Sequence, residues 1–145
     1  MIINSLFSIA ATFGFGIIFN IKGKKLISAS IGGGLGWFIY SFALSFNHSD
    51  LISLFLASLG LSIYSEVMAR ILKTPVTSII VPAIIPLVPG SLMYYTMYEA
   101  ITGNFKSSLE TGFNALASAG SLALGIILIS TITRQIMVFV SKRTS

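Results

Sequence analysis

The stretch Val81-Pro82-Ala83-Ile84-Ile85-Pro86-Leu87-Val88-Pro89-Gly90-Ser91 decides how this chain folds. It is apolar enough for a core or for lipid, yet Pro82, Pro86, Pro89 and Gly90 all fall within it. A proline lacks the backbone donor, so these residues free the carbonyls of Ser78, Pro82 and Ile85 from their helical partners. Gly90 lets the chain turn, and Ser91 is positioned to cap a second half-helix that runs to about Ile101. Upstream, Thr74 and Pro75 make a good N-cap and first helical position, so the first half is predicted to begin there. At about 1.5 Å per residue, the run from Pro75 to Leu87 advances roughly 20 Å. The segment therefore reads as one helix broken part-way along its length.

What surrounds the break is apolar on both sides. A helix crossing the roughly 30 Å hydrocarbon layer needs about 20 mostly apolar residues. Windows of that kind cover 2–21, 26–46, 51–72, 75–102 and 112–140, and charged or polar clusters such as Lys22 to Lys25 and Asn47 to Asp50 separate them. The chain has 145 residues, 54% hydrophobic and 9% charged, with a mean hydropathy of +0.93. A soluble domain carries about a quarter charged residues, so a water-soluble monomer is excluded. The expected fold is an all-α integral membrane protein, a single domain over 1–145 with about five transmembrane helices, the fourth broken at Pro-x-x-Pro-Gly. The break would then fall in the middle third of the bilayer. A β-barrel is excluded because the segments are continuous apolar runs rather than alternations of apolar and polar residues.

Charge fixes the expected orientation. The basic cluster follows the first apolar run instead of preceding it, which argues against a signal peptide and puts the N-terminus outside. Alternation then brings Arg70, Lys73, Arg134, Lys142 and Arg143 inside with Lys22, Lys24 and Lys25, and leaves Lys106 outside. An N-out, C-in protein of the bacterial plasma membrane fits this pattern. The pI near 9.8 is accounted for by anionic headgroups at the membrane edges, so no nucleic-acid partner is implied.

Chemistry is limited by what is missing. With no cysteine, disulfide scaffolds, thiolate metal sites and thiol catalysis are excluded. His48 lacks ligands at metal spacing other than Asp50, and reads as a solvated loop residue. No nucleophile, base and orienter set is present, so an enzyme, a metal site and a cofactor are not expected. Ser28, Gly32 and Gly36 in the second window and Ala117, Ser121 and Gly125 in the fifth recur every four residues, the spacing of close helix packing in lipid. Asn114 and Ser118 are candidates for interhelical hydrogen bonds.

A broken helix presents donors and positive dipole on one side of the break and freed carbonyls on the other. Such a site suits a zwitterion, with a carboxylate near Ser91 and a cation against the carbonyls. Pro86, Pro89, Gly90, Ser91, Tyr94 and Tyr98 are the candidate binding residues; Tyr94 and Tyr98 share a face that lines a vestibule or forms an interfacial aromatic belt. Intramembrane charges are functional candidates by default, which adds Glu66, Glu99 and Arg134 for ion coupling or a pathway. Glu66 and Arg70 stand at i, i+4 and can pair near the inner rim, and Arg134 equally fits an inner-interface anchor.

The run from Val81 to Gly90 followed by a tyrosine-containing helix resembles the Pro-x-x-Pro-Gly signature of the threonine/serine exporter family. Gly14-Phe15-Gly16-Ile17-Ile18-Phe19-Asn20 before a basic turn, and the glycine-rich second span, resemble the same family's small module. The resemblance covers nearly the whole chain. It implies the small subunit of a split, two-component secondary transporter that works with a larger membrane subunit. Threonine and serine are the implied substrates, with succinate-like dicarboxylates the alternative. A homo-oligomer, or a scaffold that stabilises a transporting partner, are the other readings.

Overall fold

The computed structural model describes residues 1–143, with side-chain surroundings for 1–137 and 139; within this range the chain is all-helical, without strands. The helices are α1 (Ile2–Ile18), α2 (Lys24–Ser45), α3 (Asp50–Ile71), α4 (Thr77–Ile84), α5 (Gly90–Ile101) and α6 (Phe105–Arg143), with a 3-10 turn over Ile85–Leu87. Of these, α2, α3 and α6 are long and apolar enough to cross a membrane. The segment 77–87 and α5 pass the same test only when taken together, bent by 54° at the break, as one broken span or a re-entrant loop. The apolar α1, at 17 residues, is shorter than the window 2–21 because the chain turns at Phe19 and Asn20.

Short loops are set by local chemistry. Asn20, Lys73 and Gly103 take positive φ just past α1, α3 and α5, and the next N–H reaches back a full turn: Ile21 to the Gly16 carbonyl, Thr74 to Ala69 and Asn104 to Glu99, each at 2.9 Å. These are Schellman closures, which satisfy the last carbonyls of a helix in two residues. At the start of α3 the Ser49 hydroxyl accepts from the Ile52 N–H, and Asp50 sits in the first turn where helix dipole and carboxylate attract.

Packing follows the small residues. Gly33 meets Thr12 of α1, and the buried Ser8 hydroxyl donates to the Gly33 carbonyl at 2.9 Å. On its other side α2 presents the Ser28, Gly32 and Gly36 stripe to α3. There Tyr64 donates to the Ser28 carbonyl at 2.9 Å, and a Cβ on Gly32 would lie 3.0 Å from the Tyr64 ring. Gly36, near the middle of α2, faces Leu61 and Leu87. The seam of α3 with α6 uses the second stripe: Ser121 donates to the Leu51 carbonyl, and Gly125 abuts Ser58. Ala117 is half-buried. Leu54, Ala57, Leu61, Ile80, Ala83, Leu87 and Leu122 close the central core.

Five local expectations are corrected. The fourth span's helix starts at Thr77 with Val76 as N-cap, and the buried Thr74 hydroxyl finds no partner, because the Thr74 N–H is drawn back to close α3. Pro89, not Ser91, is the N-cap of α5; Ser91 already lies inside the helix. The carbonyl of Ile85 is not free, since the tighter 3-10 turn brings the Val88 N–H to it at 3.1 Å. The last helix begins at Phe105 rather than near Gly112. Its added turns are held to α5 by side chains: Ser107 and Thr111 each donate to Glu99 at 2.9 Å, and Ser108 donates to the Thr96 carbonyl. Asn114 is exposed and adds no interhelical bond. The side chains of Lys142 and Arg143, expected at the inner rim, lie outside the described residues.

Candidate functional site

The break borders a cavity of about 430 Å³. One wall is the chain from Pro86 through Leu92, the other is Trp37, Tyr40, Asp50 and Leu54, and Ser118 of α6 completes it. Pro86, Pro89, Gly90 and Ser91 all line this cavity. Tyr94 and Tyr98 do not join them. Their rings stack 6.2 Å apart on the exposed face of α5, outside the cavity wall.

Two opposite electrical poles face this space. At the head of α5, the Gly90 N–H is taken by the Val88 carbonyl and the Met93 N–H by the Pro89 carbonyl. Between them the Ser91 and Leu92 N–H groups occupy first-turn positions, which have no acceptor within the helix. Their residues line the cavity, and the helix dipole favours negative charge there. Across from them stands Asp50. Its Oδ1 accepts from the Tyr40 hydroxyl, which orients the carboxylate and leaves Oδ2 for another donor. The buried Trp37 indole N–H, also on the wall, has no hydrogen-bond partner in the protein. A ligand acceptor would satisfy it.

Asp50, Tyr40 and Trp37 were not singled out from sequence. Asp50 reads there as a span boundary, and only the fold shows that a ten-residue separation returns it to Tyr40.

The other charged candidates separate. Glu99 is tied to Ser107 and Thr111 in the hairpin of α5 and α6 and is not on the break cavity. Glu66 pairs with Arg70 at 3.3 Å, as its i, i+4 spacing predicts. Together with Arg134, Glu66 lines a different cavity nearer the other end of α3. Among the described residues no group of three or more His, Cys, Asp or Glu is arranged to hold a metal ion.

Helices of membrane-spanning length, one pair bent beside a cavity lined by both apolar and polar groups, suggest a helical membrane protein. A family model described as threonine/serine exporter, ThrE, matches residues 4–132. The chain belongs to the threonine/serine exporter family, a family of transporters and not an enzyme class. Comparison with curated proteins and with solved structures returns no match.

Proposed function

We propose that the chain is one subunit of a secondary exporter of threonine and serine in a bacterial plasma membrane, working with a larger subunit of the same family. The reading rests on one observation: the Asp50 carboxylate and the first-turn amides of α5 face the same cavity. An α-amino acid brings an ammonium for the first and a carboxylate for the second. Succinate, with two carboxylates and no cation, would meet Asp50 with like charge, so threonine and serine are favoured over the dicarboxylate.

A partner is supported by the length of α6. Its 39 residues extend about 58 Å at 1.5 Å per residue, roughly twice the hydrocarbon layer. The Ser121 to Leu51 bond puts residues 105–120 beyond the start of α3, where Leu109, Phe113 and Leu116 are each more than 70% exposed. Lipid alone cannot cover so long an apolar surface, and a second subunit can.

In this reading α1 also crosses the membrane, giving five spans, N-out and C-in. Because the chain lacks cysteine, single cysteines at Lys22 and His48 test it cleanly. An impermeant maleimide added outside intact cells is expected to label the residue 48 variant and spare the residue 22 variant.

The function itself is tested by export of labelled threonine, serine and succinate from cells expressing this chain, its larger family partner, or both. The pair is expected to stimulate threonine and serine export. No stimulation of any substrate by the pair removes the exporter reading. If the partner alone transports at the full rate, the chain is a scaffold.

A further inference from the structure

The cavity of about 650 Å³ between α3 and α6 is lined by Glu66, by Val76 before α4, and by Ser130, Thr131, Arg134 and Gln135. Glu66 and Arg134 carry opposite charge and share this wall, yet they do not pair: the salt bridge among the described residues is Glu66 with Arg70. Only Oε2 of Glu66 is used there, and Arg70 is half-exposed whereas the Glu66 side chain is largely buried. Opposite charges that line one cavity without pairing leave room for a molecule that carries the same two charges in the reverse order. Hydroxyls and an amide beside them offer partners for a further polar group.

The position adds to the chemistry. The core cluster lies between this cavity and the one at the break: Leu54 and Leu87 border the upper space, while Val76 and Ile126 pack on the cluster and border the lower one. The two cavities are thus separated by apolar packing along the seam of α3 and α6. Under the orientation proposed above, the lower cavity belongs to the cytoplasmic half, from which an exporter must draw its substrate.

We infer that this cavity is a second, cytoplasmic-side binding site for a zwitterionic hydroxy-amino acid, Arg134 taking the carboxylate and Glu66 the ammonium. The inference rests on the exporter reading and adds to it a site at which substrate is captured before it reaches the break.

The test is binding to the complete chain with its larger partner in lipid nanodiscs, in an Asp50→Asn background that weakens the upper site. The ligands are threonine, threoninol, which lacks the carboxylate, and 2,3-dihydroxybutyrate, which lacks the ammonium. Arg134→Gln is expected to weaken threonine about ten- to hundredfold, the loss of one charge-assisted contact, and to remove the preference for threonine over threoninol. Glu66→Gln is expected to remove the preference over dihydroxybutyrate instead. If Glu66→Gln does not fold once its Arg70 pair is lost, the exposed Arg134 variant decides alone. Unchanged threonine binding by Arg134→Gln, an equal loss for all three ligands, or an effect confined to binding of phosphatidylglycerol vesicles would each overturn the inference. Such failures leave export by the unmodified pair intact, whereas failure of the exporter reading abolishes it.

Discussion

Asp50→Asn is expected to weaken threonine and serine transport about ten- to hundredfold in half-saturating concentration, the range for losing one charge-assisted contact in a cavity. Asparagine keeps the Oδ1 acceptor that Tyr40 uses, so the change removes charge and little else. The lost attraction to the helix dipole at the start of α3 costs only about 0.3–1 kcal/mol, and folding should survive. Transport in proteoliposomes over a range of substrate concentrations checks this. A substrate without an ammonium group should be affected far less by the same substitution. Equal losses for both would show that Asp50 supports the structure and does not read the substrate's charge.

The largest stability effect is expected at Gly125→Leu. An added Cβ there clashes with the Ser58 hydroxyl and sits 3.0 Å from Ser58 Cβ and 3.1 Å from the Phe55 carbonyl. The hydroxyl can rotate, but the backbone of α3 cannot, so the seam with α6 must open. Overpacking of this kind costs about 1–3 kcal/mol, and the larger Leu side chain belongs at the upper end of that range. In the same helix, a Cβ added at Gly120 meets nothing within 4 Å, so Gly120→Leu is expected not to destabilise. Thermal unfolding of both variants in detergent gives the comparison. Similar midpoints would contradict the parallel packing of α3 and α6.

How much of this was legible in the sequence depended on what carried the signal. Apolar runs and small-residue stripes come from local composition, and they foretold the long helices, the faces of Ser28, Gly32 and Gly36, and the contacts of Ser121 and Gly125. The break was legible because proline and glycine act on their own backbone. Helix limits were harder to read. Lys106 and Glu110 look like a boundary, yet Glu99, Ser107 and Thr111 stabilise the added turns across the hairpin, an interaction between segments that no local window contains. The same reason hid Asp50. Its charge marked a loop in the sequence, and only the return of α3 past α2 brings it to Tyr40 and the break. Glu66 with Arg70 was readable as an i, i+4 pair, but the shared cavity with Arg134 depended on the register of α6 against α3.

In the proposed exporter the bent segment forms the substrate cavity. Replacing Pro89 and Gly90 by alanine allows the helix to run on through the 54° bend and withdraws the α5 amides from the site. The most direct measurement is counterflow of labelled threonine in proteoliposomes that hold this chain and its larger partner. With equal incorporation and assembly, the doubly substituted chain is expected to lose counterflow while the unmodified pair retains it. Undiminished counterflow would mean that the bent segment does not form the substrate cavity and would leave the chain a scaffold for a partner that transports alone.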